Sequence, residues 1–547
     1  MHLTDNPYFA SACYVCGSRN IQYRFMVHEH SLFQCAGCDF MFLNPQPSDE
    51  FLNSVYTSNY FLMGDDDLSN CRRSDMKRAT ARLYVEQLIR YYGKKEGSLL
   101  EIGCGNGDFL QVAKQAGFAV RGIEVSESAT SIANAKLGGE SVSCGNIEDM
   151  ALPEGFFDVC ALFDVLEHVR NPIRFLKQIH KLLAPDGVLF LVTPSLNSWS
   201  ARLMKSNWME FKPEHLHYFN RETVQNALCG SGFHEIYISP NYKYLQLEYI
   251  KDHFRKYPVP FYSRAINAAT RCLPSAVNTN NIKYITSGMN ILCRKNHFTQ
   301  TPVLSIIVPA YNEADTFDIL MHSLLEKEIK EVQKEIIIVE SNSTDGTRQK
   351  VQEFRDTPGV FTIFEDKPLG KGHAVRRGLE QASGEFVIIQ DADLEYDLND
   401  YDQLLKPLLR YQKAFVLGSR HLKGWKMRQF ENARFIAFVM NMGQKIFKGL
   451  LNLACRQHLN DPFTMYKVFR RDCLFGLTLK ANRFDFDWEI VIKLLRKGYV
   501  PLEIPVNYKS RSFKEGKKIK LVKDPILWIR ALIKFRFEKL YKVRYEK

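Results

Sequence analysis

The sequence predicts an α/β protein: two separate, mostly parallel sheets behind a small N-terminal zinc ribbon or knuckle. Three observations carry that prediction. Short apolar runs alternate with helical patterns over residues 80–296 and again over 302–510, as successive βα units do. Two C-x-x-C pairs stand ahead of both blocks. The 547 residues also exceed one core, because domains run to roughly 100–200 residues.

Composition narrows the class. With 45% hydrophobic and 24% charged residues, and only 31 Gly and 21 Pro, the chain is globular, and disordered, collagenous and fibrous classes are excluded. Runs such as Val188–Val192 and Ile336–Val339 have buried-strand length and fall short of the ~18–20 residues a bilayer span needs. The opening Met1–Ala10 (MHLTDNPYFA) lacks the charged and apolar regions of an export signal, so a cytoplasmic address is expected. The predicted order is a zinc module (1–45), a helical lead-in (46–97), an α/β domain (98–296), a second α/β domain (302–510) and a basic tail (511–547).

Cys13 and Cys16 are separated from Cys35 and Cys38 by 18 intervening residues, a spacing that suits a four-thiolate zinc site. Each pair lets one tight turn offer two sulfurs to a tetrahedral ion, and Gly17 and Gly37 supply permissive backbone. Only Arg19 and Arg24 lie between the pairs as cations, offset by Glu29. A structural zinc is therefore favoured over a zinc module that reads nucleic acid.

In the first α/β block the strand Leu99–Ile102 runs into Gly103-Cys104-Gly105-Asn106-Gly107 and then a helical stretch, Asp108–Gln115. Such a strand–turn–helix lets a ligand approach the backbone. Position 108 is Asp where a dinucleotide fingerprint needs its third glycine, and Glu124 ends the next strand 21 positions after Gly103, placed to accept ribose hydroxyls. The motifs LLEIGCGNGDFL, GIEVS, CGNIEDM and FFDVCALFDVLEHV resemble class I S-adenosylmethionine-dependent methyltransferases, with a Rossmann-like fold, over about 200 residues. That resemblance implies that Gly103, Gly105 and Gly107 border the cofactor's amino-acid end, Glu124 holds its ribose, Asn146 and Ile147 meet the adenine, and Phe163 and Asp164 line the near wall. Asn146 stands where the family more often has Asp. Candidate bases are His168 and the pair His215/His217, which an extended segment places on one face. A zinc module followed by FLNPQP is similar to sugar C-methyltransferases, which implies a sugar-linked acceptor.

The second block reads VLSIIVPAYNEADTF, EIIIVESNSTDGT and LGKGHAVRRGLEQASGEFVIIQDADLEYD. Three apolar runs end in polar residues, so their C-terminal ends gather at one sheet edge. Asp391 and Asp393 follow the run Phe386–Ile389 and suit one hard divalent ion. Magnesium or manganese there neutralises a departing diphosphate. Gly370-Lys371-Gly372 lacks the upstream glycine and following Ser/Thr of a phosphate loop, so no NTPase site is expected.

These segments resemble family 2 glycosyltransferases of the GT-A fold, in particular polyprenyl-phosphate sugar synthases such as dolichol-phosphate mannosyltransferase. The resemblance assigns Pro309, Tyr311, Glu313, Glu340 and Lys371 to the nucleotide half. It gives Asp391, Asp393 and Glu395 to the metal, and Arg420 and Arg434 to phosphate contacts. Asp461, in DPFTM, is the candidate for acceptor positioning or proton removal, with Thr464-Met465 replacing the family's Ser-Gly. Glu340 replaces the usual Asp and leaves UDP- and GDP-sugars both open as donors. Arg511 and Lys517 match a stretch that lies near acceptor phosphate in these transferases.

Fourteen Lys/Arg against Glu515, Asp524, Glu538 and Glu546 occupy residues 509–547, which accounts for most of the +12 net charge. Trp528, Leu532 and Phe535 recur at helical spacing, with Lys534, Lys542 and Arg544 solvated. This fits an interfacial helix on anionic lipid or a helix capping its domain; nucleic acid is not expected. The implied function is a bifunctional, cytoplasmic, peripheral enzyme: a methyltransferase plus an inverting, metal-dependent glycosyltransferase acting on a polyprenyl-phosphate or glycan acceptor in surface polysaccharide or glycolipid synthesis. The alternative is a nucleic-acid-modifying, zinc-containing methyltransferase with a degenerate sugar-binding second domain.

Overall fold

The computed structural model describes residues 6–55, 67–256, 260–272, 278, 280–296, 301–422, 434–509 and 523–540. It divides into two compact units, Met1–His297 and Phe298–Lys547.

In the first unit the cysteine segment forms the antiparallel strands β1 (Ile21–Val27), β2 (His30–Cys35) and β3 (Met41–Leu43). The sheet is completed by β9 (His217–Tyr218), in the order β1-β2-β3-β9. About forty residues bury too little surface to be stable alone. Phe42 pairs with His217, and Cys13, Cys35, Cys38, Phe40 and Phe42 belong to the same apolar cluster as the larger sheet.

That larger sheet contains β4 (Gly97–Ile102), β5 (Phe118–Glu124), β6 (Val142–Cys144), β7 (Phe157–Phe163), β8 (Leu183–Pro194), β10 (Phe233–Leu245) and β11 (Ile282–Lys295). Its order is β10-β11-β8-β7-β4-β5-β6. Five strands are parallel, and β10 and β11 add an antiparallel edge, so the sheet is mixed. Val188–Val192 are fully buried, which is why they read as an unbroken apolar run. The strand order reverses at β4, and the crevice beyond the strands' C-terminal ends is where an α/β sheet takes ligand.

The second unit holds β12 (Val303–Ala310), β13 (Gln333–Glu340), β14 (Val360–Phe364), β15 (Phe386–Ile389), β16 (Phe415–Ser419), β17 (Lys467–Arg470) and β18 (Leu502–Pro505), in the order β14-β13-β12-β15-β17-β16-β18. Only β17 runs antiparallel to its neighbours. The helix Lys371–Gln381 lies close on β12 because Gly378 has no side chain: a Cβ there would stand 2.5 Å from Ile307.

The tail helix Lys523–Phe537 shows which of its faces is internal. Leu532 and Phe535 are buried with Ala531 in the second unit's core, and Trp528 packs against it, edge-on to Phe447 at 5.2 Å. The stripe expected at an interface is therefore the inner face. Ile526, Ile529, Ile533 and Phe537 are exposed on the same helix, and Lys542 and Arg544 lie outside the described residues. Among the described residues no helix is long and apolar enough to cross a membrane.

Candidate active sites

The four cysteine sulfurs lie within 4.8 Å of one another. Cys13 Sγ is 3.6 Å from Cys38 Sγ, and Cys16 Sγ is 3.5 Å from Cys35 Sγ. Zn–S bonds of ~2.3 Å give tetrahedral edges of about 3.8 Å, so the cluster fits a closed zinc site. Gly17 adopts the left-handed φ of 69° that this turn requires.

The glycine turn after β4 uses three positive φ values: 70° at Gly103, 51° at Gly105 and 73° at Gly107. The three differ in purpose. A Cβ on Gly103 would meet Val165 at 2.7 Å and one on Gly107 would meet Ala133 at 3.0 Å, whereas nothing stands within 4 Å of one on Gly105. Gly105 therefore faces open space, while Gly107 caps the helix Asp108–Ala116. Glu124, 2% exposed, accepts the Gly105 amide at 2.7 Å and the Ser126 amide at 3.1 Å, fixing the turn to the end of β5.

A cavity of ≈ 1190 Å³ opens at this crevice. It is bordered by every residue predicted for the cofactor except Gly107, together with His168 and His215. Asn146 is exposed and caps a short turn, accepting the Glu148 amide at 3.2 Å. Asp164 accepts Lys243 Nζ at 2.6 Å.

The two histidines of the HLH segment part company. His215 borders the cavity, edge-on to His168 with ring centres 4.8 Å apart. His217, 1% exposed, stacks on Phe40 at 5.6 Å and meets Tyr14 edge-on at 5.1 Å. Its place in β9 makes it part of the cysteine module's core, and burial pushes its pKa down to about 3. Burial also pushes His168 down to about 4 and His215 well below the usual imidazole range, so both cavity imidazoles are neutral at pH 7.

Two acids escaped the sequence reading. Glu101, 3% exposed, has an Oε2 with no hydrogen-bond partner. Burial, then the charges of Asp108 and Glu124, hold its carboxyl well above the usual range. The available signal was an acid inside an otherwise apolar strand. Glu167, 1% exposed, accepts the Thr193 hydroxyl through Oε2 at 3.0 Å and leaves Oε1 without a partner. With Asp108 and Glu124, these acids suit a cationic ligand.

In the second unit β12, β13 and β15 end at one edge, with Ala310 opposite Glu340 and Ile307 opposite Ile389. Pro309 lies in β12 opposite Val339, Tyr311 is 36% exposed, and the Glu313 amide donates to Thr347 at 2.9 Å. Glu340 is fully buried; it accepts the Ser343 amide at 2.6 Å and forms an ion pair with Arg348 at 3.1 Å. Lys371 opens its helix and pairs with Asp391. Asp393 accepts the Glu395 amide at 3.2 Å, and Glu395 accepts the Tyr508 hydroxyl at 2.8 Å.

Arg420 and Asp461 form a buried two-point pair, with Nε and Nη2 each 2.8 Å from a carboxylate oxygen. The guanidinium also lies over the Tyr508 ring at 5.1 Å. Burial alone would raise the Asp461 pKa, but the Arg420 charge and hydrogen bonds outweigh it and hold the carboxyl below the usual range. Asp461 is thus a holder of Arg420 and a poor base. The sequence reading also missed Lys467, fully buried and 2.8 Å from Asp487; burial lowers its pKa. Arg434 begins the helix Arg434–Cys455, but its side chain, like Arg511 and Lys517 altogether, lies outside the described residues.

Comparisons with known proteins agree with this division. A methyltransferase-domain family matches residues 72–237, and glycosyl transferase family 2 matches residues 305–475. The dolichol-phosphate mannosyltransferase of Pyrococcus furiosus is 29% identical over 236 residues, 43% of this chain, and the chain spans 65% of that relative's length. A dolichyl-phosphate beta-glucosyltransferase of Trichomonas vaginalis is 27% identical over 231 residues, 40% of this chain and 68% of the relative. Among solved structures, a SAM-dependent methyltransferase from Thermotoga maritima aligns at 21% identity and a TM-score of 0.29, covering 42% of this chain and 96% of that one. With its four-cysteine cluster at the N-terminus, the chain is a methyltransferase domain fused to a family 2 glycosyltransferase domain resembling dolichol-phosphate mannosyltransferase.

Proposed function

We propose that the first unit methylates a sugar-linked acceptor from S-adenosylmethionine, and that the second transfers a sugar, with inversion, from a UDP- or GDP-linked donor to a polyprenyl-phosphate or glycan acceptor. The setting we infer is surface polysaccharide or glycolipid synthesis.

The methyl-transfer reading rests on the cavity at Gly105, where open space above the turn meets the unpartnered buried carboxylate oxygen of Glu101. The cofactor fits, because its ammonium and sulfonium are cationic and the buried Glu101 Oε2 and Glu167 Oε1 have no hydrogen-bond partner, although Asp108 is paired with Lys136 at 2.7 Å. When bound, it supplies an electrophilic methyl group. Glu124 takes the ribose, Asn146 and Ile147 the adenine, and Phe163 and Asp164 close the wall. His168 and His215 are neutral at pH 7 and able to accept a proton from an acceptor hydroxyl.

The glycosyl-transfer reading rests on the Lys371–Asp391 pair at the strand edge. Two aspartates suit magnesium or manganese, which bind through one or two carboxylates plus substrate phosphates. Asp391 and Asp393 would hold such an ion, which would supply positive charge to the departing diphosphate. Lys371 and Arg420 offer cations to the donor phosphates, and Asp461 aims Arg420 by fixing both arms of its fork. A phosphate acceptor is already anionic at neutral pH, so it needs no base, in keeping with Asp461's occupied carboxylate. Arg434, Arg511 and Lys517 are assigned to phosphate contacts. The exposed Ile526, Ile529, Ile533 and Phe537, among Arg530 and Lys534, suit docking on an anionic membrane surface.

The test is release of nucleoside diphosphate from a panel of UDP- and GDP-sugars with manganese. The reading expects release from one of them and at least a roughly hundredfold loss in Asp391→Ala and Asp393→Ala, because charge stabilisation of the leaving group is removed. Release from none, or equal release by the variants, overturns it. For the first unit, absence of heat on titration with S-adenosylmethionine overturns the methyl-transfer reading.

A further inference from the structure

We propose that Glu167, His168 and His215 form a second metal site, separate from the four cysteines, that takes a first-row divalent ion of the zinc class inside the methyltransferase cavity. The proposal deepens the methyl-transfer reading of that cavity by giving the His168 and His215 lone pairs to an ion in place of direct proton acceptance, and metal binding is tested independently of it.

One ligand atom from each of the three side chains lies within 4.8 Å of the other two. Hydrogen bonding then decides which atoms carry lone pairs. His168 Nδ1 is 2.9 Å from the Glu214 carbonyl oxygen; a carbonyl only accepts, so Nδ1 carries the proton and Nε2 the lone pair. This is the arrangement of a metal-binding imidazole, whose other nitrogen is oriented by a backbone carbonyl. His215 Nδ1 and Glu167 Oε1 have no hydrogen-bond partner although their residues are 4% and 1% exposed.

Three side chains that can each donate an electron pair thus gather, and two of them carry a buried atom without a hydrogen-bond partner. Buried acceptors without a donor or cation are costly, and a metal ion satisfies Glu167 Oε1 and His215 Nδ1 at once. The site is also braced from behind. Thr193 donates to Glu167 Oε2 at 3.0 Å, and the Glu167 carbonyl accepts the Leu216 amide at 2.8 Å and the His217 amide at 3.2 Å. Lys212, the cation nearby on the cavity wall, is paired with Glu210 at 3.5 Å.

The ligand set fixes the class of ion. Two imidazoles with one carboxylate suit zinc, cobalt, nickel or ferrous iron rather than magnesium or calcium. Bonds of ~2.1 Å place neighbouring ligands about 3 to 3.5 Å apart, so from separations within 4.8 Å the side chains need close by at most about 1.3 to 1.8 Å. Three protein ligands leave coordination positions open, and all three residues border the cavity assigned to the methyl donor. There the ion would hold and polarise an oxygen of the acceptor.

The test uses the full chain, stripped of metal and dialysed against buffered zinc. Elemental analysis is expected to give two zinc ions per chain, falling to one in Glu167→Gln and in His215→Ala. Titration with cobalt(II) should show the thiolate charge-transfer bands of the cysteine site plus a separate, weaker ligand-field band without them. Thr193→Val, which removes only the brace, should weaken the second site by about 10- to 100-fold. One zinc per chain at saturation, with a cobalt spectrum fully explained by thiolates, overturns the proposal; so do two zincs unchanged in both variants. Should a variant fail to fold, the cobalt spectrum of the unaltered protein still decides. Calorimetry with S-adenosylmethionine on the same samples separates the two readings: cofactor binding without the second metal sinks only the metal site, and the second metal without cofactor binding sinks only the methyl-transfer reading.

Discussion

In the methyltransferase cavity Glu101, Glu167 and His215 are buried with polar atoms that no neighbour satisfies. At the glycosyltransferase edge Lys371 is paired with Asp391, Arg420 with Asp461, and Lys467 with Asp487. The first site leaves those three atoms unsatisfied even though its Asp164 is paired with Lys243. The second keeps its charges mutually neutralised, so ligands must replace existing partners. An ion alone on Asp391 would take the carboxylate that Lys371 is bonded to, leaving Asp487 and Asp393 as the acids near its charge, and a phosphate alone on Lys371 would take the partner of Asp391. Ion and nucleotide diphosphate are therefore expected to enter together, which favours the complete donor over either part.

The largest effect that sharpens this contrast is expected at a pair. Asp461→Asn keeps the shape but leaves Arg420 buried without its counter-charge, which costs about 3–5 kcal/mol; chemical denaturation should show that loss. A change below 1 kcal/mol would mean that the pair is not the holding device described.

Next in size is a pH effect confined to the first unit. His217 is buried neutral with a pKa near 3 against an ordinary value of 6.5. The unfolded chain binds a proton below that ordinary value while the folded one does not, so stability is complete above it and is lost as pH falls toward the folded value. His217→Phe should remove this slope, leaving a difference of about 2 kcal/mol between pH 7 and pH 5 at roughly 1.4 kcal/mol per unit. Parallel stability curves for the two proteins would sink the assignment.

Glu101 should behave oppositely to Asp461. Its folded pKa is raised, so its carboxylate weakens the ligand-free fold increasingly as pH climbs above the unfolded value. Glu101→Gln is expected to raise ligand-free thermal stability by about 1 kcal/mol, more at pH 8 than at pH 5, while weakening S-adenosylmethionine roughly tenfold. Thermal unfolding and calorimetry on one preparation check both halves, and a loss of stability would break the contrast between unsatisfied and paired sites. The smallest effect belongs to the outer face of the tail helix. Ile529→Ser/Ile533→Ser should change stability by less than about 0.5 kcal/mol while lowering co-sedimentation with anionic vesicles; unchanged sedimentation would remove membrane docking.

Much of this was legible because the responsible residues are neighbours in sequence. The turn Gly103–Gly107, the run into Asp391-Ala392-Asp393 and the paired cysteines each carry their chemistry within a few positions. The rest depended on partners far along the chain. His215 and His217 look equivalent as sequence, yet β9 pairs with β3 and carries His217 into the aromatic core while His215 turns to the cavity. Trp528, Leu532 and Phe535 have the spacing of an interfacial stripe, but the helix Arg434–Cys455 and the second unit's core cover them.

By itself, then, the sequence determined two α/β units, the four-thiolate cluster and the two sheet edges where the candidate site residues gather, because strand length, turn glycines and clustered acids act through local geometry. Only the tertiary structure decided that Asp461 is bound to Arg420, that Glu101 and Glu167 are buried without full partners, and which imidazoles meet. Those facts depend on burial and on contacts between residues tens of positions apart. The free energy of a charge is set by what surrounds it in space, and spacing along the chain does not report that.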